Sequence, residues 1–398
     1  MINPVSPLAV IAALLLALVT VQALTWRFEP PKAMGRFVTI DGLRGYLAFF
    51  VFLHHSSIWY FYLKTEKWQA PPSNLFNHLG QSSVTLFFMI TGFLFSTKII
   101  EGKTKKIDWI KLYVSRLFRL LPLYLFLIVL LFLTVAVVTG GVATDSPLTL
   151  VIAALKWIGF TIPGAPDLNG MRGTGIVVAR VTWSLSYEWI FYLCLPLLSV
   201  VIGAVPPTPV LIIGILGILT CILTHAAPVH LVAFVGGILS ALLVRHDWFC
   251  RIAANRVSSV IVVAAIVMVV TLFPTAYSSF PLMLLSLSFA LIAGGCTLFG
   301  VLNNSLSRML GEMAYSIYLL HGLVLFTIFN FIIGKHHAEM LSPLGYWCLI
   351  ALTTPVLILI CFTTFNLIEK PGMQCTEGVA RWVRYTTLTR QIAVKDAP

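Results

Sequence analysis

Four stretches of this 398-residue sequence set ionisable side chains within or beside long apolar runs. A charge-bearing group is costly to hold in lipid, so each such place is a functional candidate. The first is Asp41-Gly-Leu-Arg44-Gly, followed by an apolar stretch and then His54-His55. The pattern predicts a helix starting near Asp41, with Asp41 placed to cap it. At about 100° per residue, His55 falls within about 20° of the Arg44 direction and about 16 Å further along the axis. His54 sits about 80° off that line, on the other side. A cation near one helix end and an imidazole deeper on the same face suit a long ligand with an anionic head and a reactive tail. An acyl-CoA has that shape. The same residues also fit an arginine snorkelling to the interface and a histidine bonded to a neighbouring helix.

The second stretch is Trp183-Ser-Leu-Ser186-Tyr-Glu188-Trp-Ile-Phe-Tyr192. A carboxylate a turn inside lipid needs a partner, and Tyr192, four residues on, is in reach. The third is Arg116-Leu-Phe-Arg119, leading into Leu-Leu-Pro-Leu-Tyr124. Arginines three apart share a helix face and can clamp phosphates through their planar forks. Ordinary topology charges would look the same. The fourth runs from Leu310 through Glu312, Tyr315, Ser316 and Tyr318 to His321. It reads as a span with a polar stripe, and His321 suits helix packing as well as ligand contact. His336, His337 and Glu339 lack a specific ligand spacing, and no metal site is expected.

The elements that must position these groups are membrane helices. Hydrophobic residues make up 59% of the chain and charged residues only 10%, against about 25% charged in soluble domains. Apolar runs of about 20 residues mark spans. They fall near 5–25, 43–63, 83–100, 120–139, 183–203, 208–224, 228–244, 257–273, 280–300, 312–333 and 345–368. The expected architecture is all-α and integral to the membrane, with about eleven transmembrane helices: a ten-helix core and one N-terminal helix. The stretch 148–162 is short and carries Lys156, so it is expected as a re-entrant or interfacial helix. The first span has its basic residues after the apolar run rather than before it, so it reads as retained rather than as a cleaved signal.

Charge sets the topology. Lys and Arg number 26 against 14 Asp and Glu. With 148–162 not crossing, nineteen of the basic residues gather on one side. They are Arg27, Lys32 and Arg36, seven between Lys98 and Arg119, then Arg245, Arg251, Arg256 and Arg308, and five from Lys370 onward. Lys64, Lys67, Lys156, Arg172, Arg180 and Lys335 lie opposite. Positive charge marks the cytoplasmic side. The N-terminus and the Gly- and Pro-rich loop 163–180 are thus expected outside and the C-terminus inside. The basic excess needs no nucleic acid, since no compact soluble domain exists to carry such a surface. Five cysteines fall in spans, and Cys250 and Cys375 fall in loops expected in the reducing cytoplasm, so no disulfide is expected.

Taken in order, six segments resemble the acyltransferase 3 family of bacterial membrane proteins. They are IDGLRG…HH (40–55), LFFMITGFLF (86–95), RLFRLLPLY (116–124), WSLSYEWIFYL (183–193), LGEMAYSIYLLH (310–321) and IEKP (368–371). The resemblance covers roughly 36–372. It implies ten core helices, a donor acyl-CoA used from the cytoplasm and an acceptor outside. The family's paired basic residue and histidine fall on Arg44 and His55. Two departures stand out. The usual Ser-Gly-Phe is Thr91-Gly92-Phe93, which keeps a hydroxyl, and the acidic pair common after Trp-Ser-Leu is reduced to Glu188 followed by Trp189.

The expected function is that of an O-acyltransferase in the bacterial inner membrane, transferring groups other than amino-acyl. It would carry an acyl group, taken as acetyl from acetyl-CoA, to a hydroxyl of an extracytoplasmic glycan or glycolipid. His55 would act as general base or transient acyl carrier, and Glu188 would orient the acceptor or polarise His55. Arg44, Arg116 and Arg119 would hold CoA phosphates. Asp41, Trp183, Ser186, Tyr192, Tyr315 and His321 would touch substrate. Residues 1–30 form the extra helix, 36–372 the acyltransferase domain and 373–398 a basic cytoplasmic tail. A secondary transporter or exporter of a glycan or lipid-linked substrate is the rival, but no internal repeat supports it. A structural subunit without chemistry is the third reading. Release of free CoA from acetyl-CoA separates these from the enzyme.

Overall fold

Lipid offers no partners to backbone N–H and C=O groups, so a chain this apolar satisfies them within helices. A computed structural model describes residues 3–29, 37–103 and 106–395. Lys32, Arg36 and Lys105 of the charge pattern lie outside the described residues, as do the expected boundaries at 1, 30, 36 and 398. The helices, in chain order, are α1 (Pro7–Arg27), α2 (Val38–Thr65), α3 (Asn74–Glu101), α4 (Trp109–Val138), α5 (Pro147–Ile158), α6 (Thr174–Val177), α7 (Thr182–Ile202), α8 (Thr208–Leu223) and α9 (Pro228–Leu243). There follow α10 (Asp247–Ala253), α11 (Arg256–Leu272), α12 (Ser279–Ala293), α13 (Ser305–Glu312), α14 (Ala314–Thr327), α15 (Lys335–Glu339), α16 (Pro343–Thr364), α17 (Lys370–Gln374) and α18 (Thr376–Lys395). A π-helical turn continues α14 over Ile328–Ile332, and a second continues α16 over Phe365–Glu369. Among the described residues there is no β-strand.

Each expected apolar run falls on a helix, although α12 stops at Ala293, short of the expected 300. Among the described residues, six helices are long and apolar enough to cross a membrane: α1, α3, α4, α7, α14 with its π turn, and the run from α16 onward. The pair α9 and α10, bent by 111°, would make a seventh. Helices α8, α11 and α12 are apolar but shorter. Helix α5 has 12 residues, about 18 Å at about 1.5 Å per residue. That is too short for a core of about 30 Å.

Two helix starts differ from the expectation. Helix α2 begins at Val38, with Phe37 at its N-cap and no side-chain cap. Thr39 Oγ1 donates to the Ile292 carbonyl oxygen at 2.8 Å and Ile40 is buried, contacts that hold the helix back to Val38, so Asp41 sits in the first turn instead of capping it. A carboxylate there still favours the positive end of the helix dipole. Helix α4 begins at Trp109, well before the apolar run expected from 120, and is capped by Asp108 accepting from the Lys111 amide at 3.0 Å. Arg116 and Arg119, expected at the start of this span, therefore lie two to three turns inside the helix.

Helix α2 is the centre of the fold, packed by α3, α13 and α14. Small residues let it approach α13 closely. A β-carbon on Gly45 would come within 2.6 Å of the Gly311 amide nitrogen, and one on Gly311 within 1.9 Å of the Asp41 carbonyl oxygen. The glycines of the Asp-Gly-Leu-Arg-Gly stretch thus set the depth at which Arg44 is held. Helix α1 buries only Ala13, Ala17, Val21 and Leu24, one stripe at helical spacing, against α16 and α13.

Candidate functional site

Helices α2, α3, α4, α7 and α14 enclose a cavity of about 210 Å³. Arg44, Arg116 and Arg119 line it with Glu188, and the remaining wall is largely aromatic and aliphatic: Phe87, Phe88, Phe95, Leu120, Tyr315 and Tyr318. Three guanidinium groups against one carboxylate make an anion receptor walled by low-dielectric side chains. Two of the cations have visible side-chain partners. The Arg116 guanidinium stacks 5.1 Å from the Phe95 ring centroid, a cation–π arrangement. Arg119 Nη1 lies 3.3 Å from Met373 Sδ. Arg116 Nε is buried with no hydrogen-bond partner, a donor that a ligand oxygen would satisfy.

Glu188 is fixed from two helices. Thr91 Oγ1 on α3 donates to its Oε1 at 3.0 Å, and Tyr192 Oη, one turn along α7, donates to its Oε2 at 3.3 Å. The expected Glu188–Tyr192 contact is therefore present. Thr91, noted in the sequence only as a departure from serine, proves to be the other partner. Tyr315 lines the same cavity and donates to the Leu120 carbonyl oxygen at 2.9 Å.

A second cavity of about 660 Å³ lies at the start of α7. The loop residues 161–165, Asp167, Gly173, Gly175 and Arg180 form one wall. Trp157, Thr182, Trp183, Ser186, Tyr187 and Ile190 form another. Ala179 and Arg180 at its edge both take left-handed backbone, with φ of 49° and 57°, as do Phe160 and Thr161, with φ of 56° and 53°. Such strain in residues other than glycine gathers at functional sites. Ser186 Oγ donates to the Phe160 carbonyl oxygen at 3.0 Å, holding one of these bends.

Helix α7 separates the two cavities. Ser184, Leu185, Glu188 and Tyr192 face the cationic cavity, while Thr182, Trp183, Ser186, Tyr187 and Ile190 face the other. At about 100° per residue the two sets point about 180° apart. The partition is closed by Tyr318 Oη and Ser184 Oγ, 2.6 Å apart, each also hydrogen-bonded to the Val181 carbonyl oxygen at 3.2 Å.

The histidines stand beyond the cationic cavity. Tyr318, which lines it, lies one turn before His321 on α14, and their rings are 6.3 Å apart. His321 is fully buried, with Nε2 3.0 Å from His55 Nδ1. His55 also has Val51 O 3.1 Å from Nδ1 and the Trp68 ring stacked 6.2 Å away. His54 turns elsewhere: its Nδ1 donates to the Phe76 carbonyl oxygen at 2.7 Å, and its ring packs on Gly80 of α3. The two neighbours thus face different helices, as their angular offset requires.

A family model described as an acyltransferase domain, Acyl_transf_3, matches residues 37–363. The chain belongs to the acyltransferase 3 family. No curated protein and no solved structure matches it. Family membership makes the protein an acyltransferase, and its apolar helices make it a multi-pass membrane one. Of the residues singled out in the sequence, Arg44, Arg116, Arg119, Glu188, Tyr192 and Tyr315 meet in one cavity of this acyltransferase. Trp183 and Ser186 meet in the other. His55 and His321 pair with each other, and no hydrogen bond joins His55 to Glu188. Asp41 lines neither cavity. Glu369 of the Ile-Glu-Lys-Pro segment received no role from the sequence. It is buried, accepts a hydrogen bond from Ser316, and leaves Oε2 without a partner. Its place in a segment carrying the family resemblance was the available signal.

Proposed function

We propose that this acyltransferase moves an acyl group, taken as acetyl, from cytoplasmic acyl-CoA to a hydroxyl of an extracytoplasmic glycan or glycolipid. The observation that carries the reading is the division of labour along α7. One of its faces closes a cationic cavity suited to an anionic donor, and the opposite face closes a roomier one lined by Trp183 and Tyr187. Aromatic faces beside hydroxyls and Arg180 suit a sugar. The cationic cavity is smaller than the roughly 300–1,000 Å³ of ordinary ligand sites. It therefore seats part of the donor, and we assign Arg44, Arg116 and Arg119 to its phosphates. The pantetheine arm then runs outward along the α2 face toward His55, about 16 Å from Arg44 along the helix.

In this mechanism His55 Nε2 takes the proton of the acceptor hydroxyl as its oxygen attacks the thioester carbonyl. The tetrahedral adduct collapses, breaks the C–S bond and expels CoA thiolate, which takes the proton back from the imidazolium. General base assistance of this kind is worth about 10²–10⁴-fold. Trp183 and Ser186 contact the acceptor, and Glu188 organises the arginines. Asp41, at the first turn of α2 with its carbonyl oxygen against Gly311, would touch the substrate outside either cavity.

We further propose that the eleven helices lying over the expected apolar runs, α2 among them, cross the inner membrane, with the N-terminus outside and the C-terminus cytoplasmic. The segment 1–30, which carries α1, is then an addition to the acyltransferase domain of 36–372, and 373–398 is a cytoplasmic tail. Sealed membrane vesicles of each orientation test sidedness. Acetyl-labelled acetyl-CoA added outside should label glycan or glycolipid in inside-out vesicles only. Equal labelling of right-side-out vesicles would sink the through-membrane arrangement, while leaving acyl transfer itself standing.

A further inference from the structure

We propose that His321 is the positioning residue of His55: across the α2–α14 contact it accepts the His55 Nδ1 proton and so leaves the lone pair on His55 Nε2. The inference rests on His55 being the base. His321 Nδ1 lies 2.9 Å from the Ile317 carbonyl oxygen. A carbonyl can only accept, so the His321 proton is on Nδ1, and in the neutral ring Nε2 is the acceptor. That acceptor is 3.0 Å from His55 Nδ1, which must therefore carry a hydrogen. The Val51 carbonyl oxygen at 3.1 Å from the same nitrogen requires the same thing. The opposite assignment would place an unprotonated nitrogen against a carbonyl oxygen at both Ile317 and Val51.

The hydrogen bonds thus run one way, from His55 to His321 to the Ile317 carbonyl. His55 Nε2 is left as the basic nitrogen. The Val51 bond lies within α2 and moves with His55, so it cannot set the ring against another element. His321 can, because it is fully buried on α14 and its own ring is tied to Ile317. Trp68 stacks on His55 with an interplanar angle of 20°, leaving the ring held edge and face. This is the arrangement of a base oriented by a third group, with an imidazole where a carboxylate often stands. When His55 takes a proton, its Nδ1–H keeps an acceptor on a neighbouring helix.

The test uses the full-length protein in lipid with acetyl-CoA alone, water as acceptor and free CoA as readout. His321→Leu should lower kcat about 100-fold, within the range of general base assistance, with the KM for acetyl-CoA within about twofold. His321→Gln should recover about tenfold of that loss, because its amide oxygen can replace the ring acceptor. Independently, ¹⁵N spectra of histidine-labelled wild-type protein should show His55 and His321 both protonated on Nδ1, with the His55 signals assigned by His55→Gln. A His55 ring protonated on Nε2 in the wild type overturns the proposal even if neither His321 variant folds. So does an unchanged kcat in a folded His321→Leu protein while His55→Gln is inactive. A fully active His55→Gln enzyme would instead remove the base assignment on which the inference stands.

Discussion

Thr91 Oγ1 donates to Glu188 Oε1 across 3.0 Å, joining α3 to α7 at the wall of the cationic cavity. A hydrogen bond to a carboxylate is worth about 1.5–3 kcal/mol. Thr91→Val keeps the shape and removes the donor, so it should lower acyl transfer about 10- to 100-fold. Thr91→Ser keeps the donor and should stay within about threefold of wild type. Equal activity of the valine and serine variants would show that this bond does not hold Glu188 for function.

His55→Ala should abolish acyl transfer while the protein still inserts and runs as a single species. His54→Ala should keep substantial activity, since the His54 ring is bonded to Phe76 O and packed on Gly80, away from the His321 contact. Its loss should appear as lower thermal stability, because the hydrogen bond that ties α2 to α3 and the ring packed on Gly80 are both removed. An essential His54 with a dispensable His55 would reverse the assignment.

Arg116→Ala and Arg119→Ala should raise the KM for acetyl-CoA more than they change acceptor use. Lysine at either position should rescue only in part, since an ammonium cannot supply the planar fork, nor stack on Phe95 as Arg116 does. An unchanged KM for acetyl-CoA in both alanine variants would return these arginines to the role of topology charges.

Gly45→Ala and Gly311→Ala test the α2–α13 contact. The added methyl meets backbone atoms within 2.6 Å and 1.9 Å. Overpacking of this kind costs about 1–3 kcal/mol, and backbone has no rotamer to yield with. Both variants should melt earlier than wild type in the same lipid, and Gly45→Ala should also lose donor affinity as Arg44 is displaced. Melting temperatures within experimental scatter of wild type would mean the helices separate without cost.

Topology is read by labelling single cysteines from outside intact cells, in a background lacking the chain's own cysteines. Arg172→Cys should react and Arg251→Cys should not. Both side chains are exposed on the molecule, so access depends on the side of the membrane. The reverse pattern would invert the charge-based map.

The sequence made the helices legible because their apolar runs have no alternative in lipid. The separation of His54 from His55 was equally legible, being fixed by helical geometry alone. The reach of α4 was not, because Lys111, Ser115, Arg116 and Arg119 dilute its first turns and make them resemble a loop. Asp41 is not a cap for a different reason: Thr39, bonded to the Ile292 carbonyl oxygen, and buried Ile40 hold the helix back to Val38 against their weak intrinsic propensity. Partners far apart in the chain were out of reach. Thr91 meets Glu188 across 97 residues, and His55 meets His321 across 266. No local pattern announces a pairing of that kind.

The two-faced α7 carries a consequence for how such proteins can diverge. Side chains on either face can be exchanged singly, retuning one compartment while leaving the other alone. Residue count between Thr182 and Tyr192 has no such freedom. One inserted residue would rotate everything after it by about 100°. It would swing Glu188 and Tyr192 away from the arginines and carry Ser186 and Tyr187 out of the opposite wall. Variation in substrate preference across the family should therefore arise here by substitution, with insertions and deletions confined to the loop before Thr182.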